Sequence, residues 1–205
     1  MNLFQQLTEK PWVTAHGTVV AFHAGRAFPL PTAKIGLRVF LAVITVLFSL
    51  LVVSYAERMA AADWRPLPEP WLLWLNTAML ILSSVAFQWA WVSARRGQRD
   101  GVRVDLLAAG GFAFAFLVGQ LVVWQQLAAL GYFAATNPAA AFFYLITALH
   151  ALHLLGGMVV WGRTTAKVWR GVEVEQVHMS VELCAVYWHF LLVVWLVLFG
   201  LLLFT

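Results

Sequence analysis

The sequence predicts an all-α polytopic membrane protein with five transmembrane helices, and three observations carry that prediction. The 205 residues are 62% hydrophobic and 11% charged, with a mean hydropathy of +0.82, whereas a soluble domain is about 45–50% apolar and about 25% charged. Five apolar runs each reach the ~20 residues needed to cross the hydrocarbon core as a helix. The basic residues gather on alternate connections between those runs, the pattern of a membrane bundle. Most soluble enzymes, disordered chains and secreted disulfide scaffolds are excluded. The single cysteine, Cys184, cannot form an internal disulfide, a CxxC pair or a multi-cysteine metal site. The net charge of +4 is read as topology before nucleic-acid binding.

The first span covers about residues 35–56, between Lys34 and the pair Glu57-Arg58. The second covers about 71–94 and stops at Arg95-Arg96. The third covers about 106–130, after Asp105; the fourth covers 138–162 and stops at Arg163; the fifth covers 177–204. At 1.5 Å per residue these are roughly 33–42 Å long, enough to span with some tilt. Strand-type alternation is absent, which argues against a β-barrel. The domain expectation is a cytoplasmic N-terminal arm (1–34, with Pro29 and Pro31) and one membrane bundle (35–205). No secretory cleavage pattern precedes the first span. The first connection, Arg65-Pro66-Leu67-Pro68-Glu69-Pro70, is proline-spaced and stiff. No internal repeat or low-complexity tract is visible.

Orientation follows from lysine and arginine. One side carries Lys10, Arg26, Lys34, Arg95, Arg96, Arg99, Arg103, Arg163, Lys167 and Arg170; the other carries only Arg58 and Arg65. The N-terminus is therefore expected in the cytoplasm and the C-terminus on the outer side. Arg38, one turn inside the first span, can snorkel inward. Trp12, Trp71, Trp74, Trp161 and Trp169 fall near the expected interfaces.

Ionisable groups inside a membrane are costly and mark candidate functional positions. Four fall inside spans: His150 and His153 on the fourth, Glu182 and His189 on the fifth. Each pair shares a helix face, being three and seven residues apart. His153 is expected about 15 Å above the inner end, His189 about 18 Å and Glu182 about 8 Å, so the histidines could face one another across two helices. Three readings stay open on these residues. They can form interhelical hydrogen bonds, at about 0.6 kcal/mol each. Glu182 with one histidine can serve a lipid headgroup or a proton relay. Two histidines can ligate a haem b between the helices. A metal site is disfavoured because the depths differ by about two turns. On the third span, Gly111, Ala115 and Gly119 form a small-residue stripe expected to pack closely, as does Gly156-Gly157 on the fourth. Asn76, Ser83, Ser84 and Gln88 on the second are expected to form tertiary hydrogen bonds. No Gly-rich phosphate loop, nucleophile elbow or HExxH is present, and no catalytic centre is expected in the chain.

The fourth span, from Phe142-Phe143 through Thr147 and His150-Ala151-Leu152-His153 to Gly156, resembles a signature helix of subunit III of the haem-copper oxidases. The fifth, with Glu182, Tyr187-Trp188-His189-Phe190 and Val194-Trp195, resembles that family's final helix. Asn76-Thr77 and Ser83-Ser84 also fit its pattern. The resemblance covers most of residues 34–205 and matches the short, five-helix bacterial form. It implies a non-catalytic subunit of a respiratory terminal oxidase, in the bacterial cytoplasmic (inner) membrane. Such a subunit carries no cofactor; haem and copper belong to partner subunits. The implied partners are subunit I directly, subunit II and other oxidase subunits, and phospholipids held between helices. His150, His153, Glu182 and His189 are then lipid-binding or structural polar residues. An accessory protein of nitric oxide reductase is the alternative, with a stand-alone haem b anchor behind it. Two departures stand out. The family has Ser-Glu where Val43-Ile44 stand, and Asp where Leu192 stands, so two buried acids are missing and the expected contribution is mainly structural.

Overall fold

The computed structural model describes residues 32–204 apart from Asp63, Glu69 and Thr136. Most of the predicted arm, including Lys10, Trp12, Arg26, Pro29 and Pro31, lies outside the described residues. Five helices follow in order: α1 (Thr32–Met59), α2 (Leu72–Arg95), α3 (Arg99–Ala129), α4 (Pro138–Trp169) and α5 (Val174–Leu203). All five are long and apolar enough to cross a membrane, and no strand occurs among the described residues. This is an all-helical, multi-pass membrane protein.

Several helices run past their predicted spans. α3 starts at Arg99 rather than near residue 106, so Asp100 and Asp105 lie within it; α4 runs to Trp169 rather than residue 162. An apolar-run criterion stops at the first charge, but arginine, lysine and aspartate continue a helix readily once it leaves the hydrocarbon. Asp105 accepts a hydrogen bond from Ser93 Oγ at 2.8 Å, closing the turn between α2 and α3. Gly97 sits in that turn at φ +68°, where a left-handed residue ends a helix without a Cβ penalty. The Gln98 amide donates back to the Ser93 carbonyl at 3.0 Å. At the opposite end Asn137 caps α4, accepting from the Ala139 amide at 3.0 Å, with Pro138 in the first helical position. Its Nδ2 donates to the Arg65 carbonyl at 3.2 Å, tying α4 to the proline-spaced connection.

These short turns make the helices alternate in direction. Lys34, Arg95, Arg96, Arg99, Arg163, Lys167 and Arg170 consequently share one end of the bundle, called the basic end below. α2 and α3 form the tightest pair, and α5 lies against α2, α4 and α1. The core is aromatic at the centre of α5: Trp188 packs on Phe87 at 4.3 Å between ring centroids, and Trp195 packs edge-on to Phe116 at 4.9 Å. Trp195 Nε1 donates to Thr77 Oγ1 at 3.0 Å. α1 is attached sparsely. Only Ile44, Phe48 and Tyr55 are buried on it, and it leans on α4 and α5.

Small residues set two close approaches. A Cβ on Gly110 would overlap the Trp161 ring, whose Nε1 donates to the Leu106 carbonyl at 2.8 Å. A Cβ on Gly157 would come within 2.7 Å of Trp188 and 2.8 Å of Tyr187. The expected stripe on α3 is corrected: Gly111 and Ala115 face outward, and only Gly119 approaches a neighbour, Asn76. The helix turns Gly110, one residue earlier and 100° round, into the bundle. Gly156 likewise meets nothing on its Cβ side.

Candidate functional site

The four predicted site residues do not converge on one site, and each has its own surroundings. His189 on α5 reaches α2, where its Nδ1 lies 2.5 Å from Ser84 Oγ and its Nε2 lies 2.9 Å from Gln88 Oε1. Ser84 and Gln88 are one turn apart on α2, so a single imidazole bridges both. With Ser83 Oγ donating to the Ala109 carbonyl at 2.8 Å, and Asn76 Nδ2 to Gln120 Oε1 at 3.5 Å, the polar residues of α2 act as interhelical hydrogen-bonding groups.

His153 on α4 lies 2.7 Å from the Leu149 carbonyl through Nδ1. Its own carbonyl accepts from the Tyr187 hydroxyl at 2.9 Å. The two signature segments thus hold each other: Tyr187 bonds the backbone at His153, and the Tyr187-Trp188 rings fill the space left by Gly157. Phe40 of α1 stacks on Tyr187 at 6.1 Å, and Phe48 lies 5.5 Å from His153.

His150 is fully buried. The rings of Trp195, Phe116 and Phe48 surround it at 5.1, 5.9 and 6.3 Å. Neither ring nitrogen has a hydrogen-bond partner among the described residues, and Gln120 Nε2 is in the same condition. The expectation that histidines of α4 and α5 face one another is therefore corrected. His189 turns to α2, and His150 is enclosed by three aromatic rings. Haem ligation by a pair across the two helices has no geometric support. Among the described residues no group of three His, Cys, Asp or Glu side chains could hold a metal ion.

Glu182 is not a fully buried acid. Its Oε1 accepts from Lys34 Nζ at 2.5 Å, and the two side chains are 24% and 26% exposed. The sequence places Lys34 beside the membrane as a topology signal; it does not reveal that the lysine meets an acid 148 residues away. The pair ties the first turn of α1 to α5 at the basic end. One turn further in, a groove of about 750 Å³ opens between α1, α4 and α5. Leu37 and Phe40 form one wall, Gly156 and Val160 another, and Leu183 and Tyr187 the third, with His153 also on the lining. The lining is almost wholly apolar, of a size suited to a hydrocarbon chain. At the two positions where acids were missing, Ile44 is 2% exposed in the core and Leu192 packs half-buried against it.

Comparison with known proteins agrees with this architecture. The sequence profile described as cytochrome c oxidase subunit III matches residues 32–204. Cytochrome c oxidase subunit 3 of Thermostichus vulcanus is 31% identical over 198 residues, covering 93% of this chain and 95% of that protein. The Synechocystis sp. protein of the same name is 30% identical over 173 residues, covering 80% and 72%. A probable cytochrome c oxidase subunit 3 of Mycobacterium leprae is 32% identical over 161 residues, covering 70% and 72%. The chain belongs to the cytochrome c oxidase subunit III family.

Proposed function

We propose that this terminal oxidase subunit III stabilises the catalytic haem-copper subunit I and holds a phospholipid chain in the groove between α1, α4 and α5. The chain brings no redox centre of its own; the haem and copper that reduce O2 sit in its partners. The basic end faces the cytoplasm of a bacterial inner membrane, with residues 35–205 as the bundle.

The groove carries this reading. It is apolar along its length, and Lys34 and Glu182 stand at its basic end, one residue from Leu183 and one turn from Leu37. That pairing of an acyl-sized slot with a polar mouth at interface depth suits an inner-leaflet lipid whose phosphate meets Lys34. His153 and Tyr187 shape the deep end. His150 and His189 are structural, the first by packing and the second by its bonds to α2. The relatives compared above are named for cytochrome c oxidase, which favours an oxidase over a nitric oxide reductase.

The test is purification in mild detergent followed by native mass spectrometry. A haem-bearing subunit I and a bound phospholipid are expected with the wild-type chain. Replacing Gly156 with Trp fills the groove and is expected to remove the lipid while leaving the protein contacts. A chain that purifies without any haem-bearing partner refutes the subunit role, and unchanged lipid in Gly156→Trp refutes the groove.

A further inference from the structure

We propose that the seam between α2 and α5, centred on Gln88 and His189, is the surface that docks a transmembrane helix of the catalytic subunit. This inference rests on the subunit III reading above and names the face that such a subunit would use.

The argument starts from one amide. His189 engages one polar atom of the Gln88 side chain. Whichever way the amide is turned, its other polar atom has no hydrogen-bond partner among the described residues. Gln88 and His189 are both partly exposed on the outside of the bundle. Gln88 lies seven residues inside the end of α2 at Arg95, roughly 10 Å along the axis, and its bond to His189 keeps it from reaching back to the interface. Lipid chains offer no hydrogen bond there, and an unsatisfied amide in hydrocarbon costs several kcal/mol. A neighbouring helix presenting a hydroxyl, carboxylate or free carbonyl supplies what lipid cannot.

The surroundings favour the same occupant. Around the polar pair lie Ile81 and Val85 of α2 and Val186 and Val193 of α5, 40–58% exposed. Short β-branched side chains make a shallow surface on which a helix can seat closely. The polar groups on the other outward faces have closer outlets: the exposed Ser49 and Ser54 hydroxyls of α1 can return to carbonyls of their own helix, and the exposed Gln125 and Gln126 of α3 lie within four residues of its end at Ala129, roughly 6 Å along the axis. On α1 the outward residues Val39, Val43, Val46, Leu50 and Val53 are all aliphatic, and the exposed Thr45 hydroxyl returns to its own helix at the Leu41 carbonyl. On α3, the membrane-depth residues Leu107, Phe114, Val118 and Leu121 are apolar.

Benzoylphenylalanine placed singly at Val85, Val193, Val46 and Phe114, in the full complex in native membranes, tests the assignment. Photolysis is expected to join the chain to a haem-bearing subunit from positions 85 and 193, at several times the yield from 46 and 114. In a second measurement, Gln88→Leu is expected to lower recovery of the haem-bearing subunit in mild detergent by roughly three- to fifteenfold, the effect of losing one hydrogen bond in a membrane. Crosslinks from 85 and 193 to lipid alone, or to a second copy of this chain, overturn the proposal. Capture of the haem-bearing subunit from 46 or 114 instead also overturns it, while leaving the subunit III reading standing. Failure of the wild-type chain to co-purify with any haem-bearing subunit removes both.

Discussion

Breaking the Lys34–Glu182 pair should loosen α1 more than any other single side-chain change at the basic end. From Thr32 to Val43 no side chain of α1 is buried; Ile44, Phe48 and Tyr55 all lie further along. The ion pair is therefore the strongest tie on that half of the helix. Its size can be bracketed. Fully exposed pairs contribute about 0.2–1 kcal/mol, and losing one partner of a fully buried pair costs about 3–5 kcal/mol. At 26% and 24% exposure, a coupling of about 1 kcal/mol is expected, roughly a fivefold change in an equilibrium constant. The assay is a double-mutant cycle of Lys34→Met, Glu182→Gln and the double variant, read by reversible unfolding in mixed micelles. Each single change should destabilise, and the double should cost less than their sum. High salt should shrink the coupling because both groups retain some solvent contact. A coupling indistinguishable from zero at low salt would refute the reasoning, as would a gain in stability from either single change.

Four further outcomes follow from particular contacts. Gly157→Leu drives a side chain into Trp188 and Tyr187 and should cost about 1–3 kcal/mol, seen as a lower unfolding midpoint of the purified chain. His189→Leu removes two interhelical hydrogen bonds, about 1.2 kcal/mol at about 0.6 each. The haem absorbance per mole of catalytic subunit should not change, and its loss would contradict the assignment. His150→Leu should be neutral or stabilising in the same unfolding assay, because it removes a buried group whose unsatisfied nitrogens cost about 1–3 kcal/mol. Asn137→Ala deletes the cap of α4 and the bond to Arg65; about 0.5–2 kcal/mol should be lost, with faster proteolysis at the 64–70 connection.

The helices were readable because a membrane writes length and apolarity into each crossing. Their ends were less so, since Arg99 to Asp105 and Arg163 to Trp169 stay helical after the apolar run has stopped. Which face looks inward was harder still. An amphipathic helix declares its phase through a polar side, but α3 is apolar almost all round. Gly111 therefore looked as good a packing residue as Gly110, and only the Trp161 ring distinguishes them. Neighbour choice was the least legible level. Glu182 and His189 lie on one stripe of α5, as their spacing says, yet one meets α1 and the other meets α2. That outcome depends on two helices flanking the stripe at different heights. Lys34 carried a topological signal strong enough to hide its partner. Nor does spacing show that Tyr187 meets α4 at His153, because the contact runs from a hydroxyl to a backbone carbonyl rather than ring to ring.

The sparse attachment of α1 bears on how the chain is made. α1 emerges first, but the helices it leans on, α4 and α5, emerge last. At about 5–20 residues per second, the ~80 residues between α1 and α4 take roughly 4–16 s to synthesise, and the ~140 up to the end of α5 roughly 7–30 s. During that interval the walls that α4 and α5 supply to the groove are not yet made, and the groove side of α1 is open to lipid. Its largely apolar outer face suits that interval as well as the finished bundle. When α4 and α5 arrive, an acyl chain already lying along Leu37 and Phe40 is enclosed as the walls close around it. Occupancy of the groove would then be decided during biogenesis, by whichever inner-leaflet lipid surrounds the nascent helix.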